Sequence, residues 1–266
     1  MVRVSRTVLR YQKQPDNDKV IRAALRRLAD KKRAYGYRML WRKLRQQGHL
    51  VNHKRVYRLY REEKLALRRK RRRKTPEHLR VVMPVPSAPN DCWSMDFVSD
   101  VLTNRRPFRV LTVIDDATRE NVSLEAAHSF SGHRLTLALD RVAIRHGGYP
   151  KYLRADNGPE MRSAAVAQWA HEHGIRLVFI EPGKPTQNAY CESFNSILRR
   201  ECLNEELFIS IPDAQRKLDR YHKEYNEERP HGSLGITTTP RDCRNALYKC
   251  VKKKKNQETL IKSGTG

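Results

Sequence analysis

Three carboxylates stand in segments that could bring them together around a divalent cation. Asp96 interrupts an otherwise apolar run, Asp156 ends a short β-like run before Asn157-Gly158, and Glu192 follows after 35 further residues. Acids that meet in this way repel one another unless a positive charge lies between them. Oxygen ligands that leave open positions suit Mg²⁺, and Mn²⁺ is the expected substitute. The three acids therefore predict a metal site for in-line phosphoryl transfer, where two ions would assist the attacking and leaving oxygens.

Two of the acids, taken singly, have a simpler explanation, whereas Asp96 is harder to dismiss because it interrupts an apolar strand. Asp-Asn-Gly is common in turns, so Asp156 alone would be read as a turn residue, and Glu192 alone as a solvated helix residue. Glu160 competes with Glu192 for the place of the third acid. Glu160 is too close to Asp156 in sequence to reach across from a separate helix, so Glu192 is preferred. The assignment depends on the order and spacing of the three acids together.

The elements that must position these acids alternate as expected for an α/β sheet. The predicted strands are Cys92–Leu102, Phe108–Asp115, Asn121–Ala127, Tyr152–Ala155 and Arg176–Ile180, and the predicted helices are Ser131–His146, Ser163–His173 and Asn188–Arg200. A three-stranded meander followed by alternating helices and strands predicts a mixed sheet with flanking helices. We expect the first strand to lie centrally beside the fourth, so that their acids can meet.

The helix that carries Glu192 is predicted to have two distinct faces. Its inner, apolar face is expected to consist of Tyr190, Phe194, Ile197 and Leu198. Glu192, Asn195 and Arg199 share another face, which can look toward the two aspartates. Four polar residues around Glu192 are candidates for holding substrate phosphates, with ordinary surface polarity as the alternative: Lys184, Asn188, Asn195 and Arg199.

A small all-α region precedes the sheet. Helices are predicted after Asp18, after the break at Tyr35-Gly36 and after Asn52, which can cap the third helix. The third helix has a basic outer face, and its candidate DNA contacts are Lys54, Arg55, Arg58 and Arg61. This pattern favours a helix-turn-helix-like DNA-binding domain. The alternative is a small helical bundle with a solvated charged face.

The charge of the chain is concentrated at its N-terminal end. The net charge is +26, and residues 1–89 carry 28 Lys and Arg against 6 Asp and Glu, while residues 90–240 carry 19 against 21. Such a basic segment indicates a polyanionic partner, with nucleic acid the first expectation, although a disordered basic tail is the alternative. The run Arg68–Lys74, with Arg69 and Arg71 as candidate contacts, should follow DNA phosphates.

Composition and breaks divide the chain into four predicted segments. They are a DNA-binding domain at 1–67, a basic and Pro-rich linker at 68–89, a catalytic core with a helical extension at 90–242, and a basic tail at 243–266. The five cysteines are expected to be reduced thiols because they form no pair at metal-ligand spacing. His49 and His53 lack the cysteine pair of a zinc finger, and no apolar run approaches a membrane span.

The motifs around the acids resemble the DDE transposase and retroviral-integrase superfamily, whose fold is RNase H-like. The detailed match is to the second reading frame (OrfB) of insertion sequences in the "IS three" group, from about Asp18 to Asp242. It is carried by Trp93-Ser94-Met95-Asp96-Phe97, Asp156-Asn157-Gly158-Pro159-Glu160, Asn188-Ala189-Tyr190-Cys191-Glu192 and Tyr225-Asn226 with Arg229-Pro230-His231. Met161 and Gly232 depart from the usual pattern, and neither departure affects the three acids.

The resemblance implies a reaction and a set of partners. Water would cleave a phosphodiester at the element's 3′ end, and the freed 3′-OH would then attack another phosphodiester. The implied partners are double-stranded DNA, an upstream first-frame protein or frameshift fusion, and further copies of this chain on DNA. No membrane partner is expected, and the location would be the bacterial cytoplasm at the nucleoid. The alternatives are an RNase H-like nuclease without strand transfer and an inactive DNA-binding remnant.

Overall fold

The computed structural model describes residues 18–67, 86–180, 188–236 and 238–250. The chain divides into two compact units, Met1–Arg69 and Lys70–Gly266. Three of the predicted DNA contacts, Arg69, Arg71 and Lys184, lie outside the described residues. The finer divisions predicted at residues 67, 89 and 242 stay predictions.

The described part of the first unit, residues 18–67, contains three helices: α1 (Lys19–Lys31), α2 (Tyr37–Gln46) and α3 (His53–Glu62). The side chain of Asn52 caps α3 by accepting a hydrogen bond from the backbone N–H of Lys54. Gly48 follows α2 with a φ of +86°, a conformation that side-chain-bearing residues rarely adopt. The apolar stripes of the three helices meet in one core, which includes Leu25, Leu40, Leu44, Val56 and Leu59.

The second unit is built on a five-stranded mixed sheet. Its strands are β1 (Cys92–Val101), β2 (Pro107–Asp115), β3 (Asn121–Ala127), β4 (Tyr152–Ala155) and β5 (Arg176–Phe179), in the order β3-β2-β1-β4-β5. The first three strands pair antiparallel, while β1 with β4 and β4 with β5 pair parallel. This arrangement confirms the predicted mixed sheet, with the first strand central and beside the fourth.

Helices cover both faces of the sheet. On one face, α4 (Gly132–His146) and α5 (Ala164–Glu172) pack against side chains such as Trp93, Leu111 and Leu153. On the other face, α6 (Ala189–Leu198), a π-helical turn at Arg199–Leu203 and α7 (Ile211–Glu227) pack against side chains such as Phe108, Val110 and Ile114. Side chains alternate between the two cores along β1 and β2 because successive residues of a strand point to opposite faces.

The predicted inner face of α6 is partly wrong. The buried residues of this helix are Cys191, Phe194 and Leu198, which recur at i, i+3 and i+7. Tyr190 lies off that stripe, and its ring stacks under the guanidinium group of Arg119 at 3.3 Å. Phe194 and Leu198 are buried as predicted and Ile197 packs partly against the same core, so Tyr190 alone is replaced, by Cys191, the residue before Glu192.

Residues 240–250 form a further helical segment of the second unit. Arg241 donates a hydrogen bond to Glu120 at 3.0 Å, and Arg244 lies 3.2 Å from the other oxygen of the same carboxylate. The segment is therefore tied to the turn between β2 and β3. No described helix is both long and apolar enough to cross a lipid bilayer.

Candidate active site

The parallel register of β1 and β4 places two of the acids at the same level of the sheet. Ser94 on β1 lies opposite Arg154 on β4. Asp96 and Asp156 each come two residues after this pair. Because the strands run parallel, both acids therefore lie toward the same edge of the sheet. Asp156 comes directly after Ala155, the last residue of β4. The charge of Asp156 acts on Asp96 and contributes to raising the Asp96 pKa, although burial contributes most.

The helix α6 brings Glu192 near Asp96. Cys191, the residue before Glu192, has its Sγ 3.4 Å from Oγ1 of Thr112 on β2, and that hydroxyl donates to the Asp96 carbonyl at 3.0 Å. One turn further along α6, the Asn195 side chain donates to Oδ2 of Asp96 at 2.8 Å. Burial and the charge of Asp96 both raise the pKa of Glu192. Asp96 therefore interacts electrostatically with both other acids.

The electrostatics of the site favour a bound cation. Burial raises the pKa of Asp96 and of Glu192, and the repulsion between neighbouring carboxylates adds to it. Opposing this, Asp96 accepts hydrogen bonds from the Phe97 N–H and from Asn195, which lower its pKa. A divalent cation would relieve the repulsion, because it favours the ionised form of each acid.

The donor atoms fit a hard cation, although they do not form a closed ligand set. Asp96 Oδ1 accepts from the Phe97 N–H at 2.7 Å, and Asp156 Oδ1 accepts from the Gly158 N–H at 3.1 Å. Each of these oxygens keeps a lone pair, and oxygen-only donors suit Mg²⁺. Within the described residues, no three His, Cys, Asp or Glu side chains lie close enough together to hold an ion. The assignment of the three acids as ligands stays a prediction.

The polar residues around Glu192 have partners within the chain. Asn188 is 2% exposed and donates to the Met95 carbonyl at 3.3 Å, and Asn195 donates to Asp96. Arg199 pairs with Asp100 at 3.0 Å and also donates to the Ser99 carbonyl. The expectation that these three side chains reach substrate phosphates stays a prediction, because an internal partner does not exclude a contact with DNA. They hold α6 and the segment before it against β1.

The basic face of α3 is divided by an internal carboxylate. Arg55 and Arg58 lie 2.5 and 2.6 Å from the two oxygens of Asp18, whose side chain is 1% exposed. Lys54 and Arg61 are exposed, and neither has an ion-pair partner in the described part of the first unit. Arg55 and Arg58 therefore have an internal partner, whereas Lys54 and Arg61 are open to solvent, and all four remain predicted DNA contacts.

Two arginines near the acids form ion pairs that the sequence did not predict. Arg109 on β2 forms an ion pair with Glu160, and its charge lowers the pKa of Asp96. Arg154 pairs with the buried Asp116 at 2.7 Å. The signal in both cases was a lone arginine inside a predicted strand. Burying a charge in a sheet is costly unless a partner meets it there.

Sequence profiles match most of the chain. Two profiles, each described as an integrase core domain, match residues 86–185 and 173–240. A profile described as an HTH-like domain matches residues 15–73. The presence of these domains together indicates DNA binding.

Individual proteins support the same grouping. An uncharacterized 31.7 kDa protein of insertion element IS407 from Burkholderia multivorans is 47% identical over 235 residues, which cover 88% of this chain and 84% of that protein. The InsD transposase of IS2 elements from Escherichia coli is 29% identical over 227 residues, covering 78% of this chain and 72% of that protein. A simian T-cell lymphotropic virus intasome, solved with PP2A regulatory subunit B56 gamma, matches in fold with a TM-score of 0.54 at 17% identity, covering 83% of this chain and 74% of the other.

Proposed function

The chain belongs to the insertion-element transposases with an integrase core domain, which makes it a DDE polynucleotidyl transferase, and we propose that Asp96, Asp156 and Glu192 carry out its reaction. The observation that supports this most strongly is the register of β1 and β4, which sends two of the acids to one edge of the sheet. The coupling of Glu192 to Asp96 adds the third acid. In this proposal, the chain cleaves the 3′ ends of its element and joins them to target DNA.

The three acids would hold Mg²⁺, which activates the attacking oxygen and stabilises the leaving oxygen when bound. Residues of the chain orient the acids. Asn195 and the Phe97 N–H fix the orientation of the Asp96 carboxylate, so its free lone pairs stay directed to one place. Water in cleavage and a 3′-OH in joining are both oxygen nucleophiles that attack a phosphodiester, so one site can serve both steps.

DNA contact in the first unit is proposed for the exposed side of α3. Lys54 and Arg61 would meet phosphates there, while Arg55 and Arg58 hold α3 to Asp18 at the start of α1. Replacing Lys54 and Arg61 by Gln should weaken DNA binding and reduce its salt dependence. Arg69, Arg71 and Lys184 remain proposed phosphate contacts. A first-frame partner, further copies of the chain on DNA and a place at the bacterial nucleoid belong to the same proposal.

The variant Glu192→Gln tests the function. It keeps the size of the side chain but removes a charge, so cleavage and joining of labelled element ends should be lost together in Mg²⁺ and Mn²⁺. Binding to the ends in gel shifts should survive, because the DNA-binding residues are elsewhere. The matched control is Glu160→Gln, which should retain both activities at high metal concentration. Normal joining by Glu192→Gln would refute the assignment, and cleavage without joining by the wild type would identify a nuclease.

A further inference from the structure

Arg109 and Glu160 form an ion pair that spans the central strand. Arg109 lies on β2 opposite Ser99 of β1, and Glu160 lies in the segment between β4 and α5. The central strand β1 lies between β2, which carries Arg109, and β4, which precedes the segment that carries Glu160. Both side chains must therefore lean over β1 to meet, and Arg109 Nη1 does bond to Glu160 Oε1.

An aromatic ring supports this crossing. The Arg109 guanidinium group lies 4.1 Å from the centroid of the Phe97 ring on β1, a cation–π geometry. Phe97 in turn packs against Phe130, with ring centroids 5.0 Å apart. The exposed fractions of the Arg109 and Glu160 side chains are 32% and 19%, so the pair is partly shielded from solvent. The arginine is therefore held in place by more than the carboxylate it binds.

The Glu160 carboxylate of this pair lies near the Asp156 carboxylate. A Cβ built on Gly158 would lie 3.0 Å from Asp156 Oδ1 and 3.3 Å from Glu160 Oε2, so both carboxylates face the same point. Two carboxylates this close repel one another, and the repulsion would push the segment apart. Arg109 supplies the positive charge that allows Glu160 to stay beside Asp156. A side chain at position 158 would not fit between them without a shift.

The segment around Asp156 has a second tie on its other side. Asn157 donates a side-chain hydrogen bond to the Ile180 carbonyl, just beyond β5, at 2.7 Å. Asp96, by contrast, sits inside β1 and is held by the strand ladder and by Asn195. Asp156 has left its strand, so its position depends on the ties of the segment that follows it.

From these contacts we propose that Arg109 and Glu160 are positioning residues, whose ion pair across β1 fixes the segment carrying Asp156 against the central strand. The proposal rests on the function proposed above for Asp156. Neither residue needs to touch substrate. Loss of either should loosen the segment from the β1 side, while the Asn157 tie continues to hold it toward β5.

A double-mutant cycle followed by hydrogen exchange tests the proposal on the full chain without DNA or metal. Arg109→Gln and Glu160→Gln should each speed exchange at the Gly158 and Arg162 amides by up to about fivefold, the upper range for a partly exposed pair. The double variant should exchange no faster than either single variant, because both changes remove one interaction. Arg109→Lys, which keeps the charge, should restore slow exchange. Unchanged exchange in the single variants, or additive effects in the double variant, would overturn the proposal.

Activity provides a second readout. In the single variants, the Mg²⁺ concentration for half-maximal cleavage should rise several-fold, while the rate at saturating Mg²⁺ should stay within about twofold of the wild type. A lower saturated rate with an unchanged metal requirement would also overturn the proposal. The matched control is Arg141→Gln, which breaks the pair of Arg141 with Glu125, and it should change neither readout. Full activity in Asp156→Asn would instead refute the proposed function, whatever the exchange result.

Discussion

Replacing Arg154 by Met tests the buried ion pair that supports the register of the two acid-bearing strands. Arg154 Nη1 lies 2.7 Å from Asp116 Oδ2, and the two side chains are 7% and 0% exposed. Arg154 is also the β4 residue opposite Ser94, two positions before the level of Asp96 and Asp156. Met has a similar length and no charge, so the variant removes the pairing with little change in packing.

The expected cost is large because Asp116 would be left buried without its cation. Removing one partner of a buried pair costs about 3–5 kcal/mol. Burial already raises the pKa of Asp116, while Ser94 and Arg154 act to lower it. Without Arg154, the folded-state pKa should rise further above the unfolded value. The folded variant then binds a proton more readily than its unfolded chain. The loss in the free energy of unfolding, relative to the wild type, is therefore greatest at high pH and becomes smaller as pH falls through the raised pKa of Asp116.

Urea unfolding monitored by tryptophan fluorescence measures this cost. In a Trp41→Phe background, the remaining tryptophans, Trp93 and Trp169, both report on the second unit. At a slope of about 2 kcal/mol per molar urea, a loss of about 4 kcal/mol lowers the midpoint by about 2 M. Arg141→Met, which breaks a largely exposed pair, should cost under about 1 kcal/mol. An equally small loss in Arg154→Met, or a loss that is the same at pH 8 and pH 5, would refute the reasoning.

Three further predictions concern charge and hydrogen bonding. Burial lowers the pKa of His146 to about 3, so the wild type should lose about 1.4 kcal/mol per pH unit below about pH 6.5 relative to His146→Gln in urea titrations. Asn195→Ala removes a hydrogen bond to the Asp96 carboxylate, so cleavage assays should show a loss of about 10- to 100-fold with end binding unchanged. Replacing four charges of Arg68–Lys74 by Ser should flatten the salt dependence of DNA affinity; an unchanged slope would contradict phosphate contact.

The sheet was largely predictable because its strands carry strong local signals. The strands Asn121–Ala127 and Tyr152–Ala155 have the predicted bounds. Ser131 and Ser163 each cap a helix by accepting a hydrogen bond from a backbone N–H, which local sequence can indicate. The central place of β1 followed from the meander, because short connections keep β2 beside β1 and β3 beside β2, which leaves the other side of β1 open to β4.

The partners of charged side chains were not predictable in the same way. Periodicity shows which residues share a face of one element, but it does not show what packs against that face. Arg58 donates a hydrogen bond to Asp18, which is 40 residues away in the sequence, and Arg199 donates one to Asp100, which is 99 residues away. Both arginines stand on polar helix faces, which is why the sequence predicts them to contact DNA. Tertiary contacts between distant segments determine whether such a face meets solvent or a carboxylate.

The three acids differ in the number of contacts that fix their positions. Asp96 lies inside the central strand, with hydrogen bonds to both carboxylate oxygens. Asp156 lies beyond the end of β4, and Glu192 is on the exposed side of α6. In the proposed metal site, we expect any closer approach of the acids to come from Asp156 and Glu192, because neither lies inside a strand. We therefore expect Asp96 to keep its position when a cation binds, and the hydrogen bonds of the segment after β4 to determine how readily Asp156 approaches it.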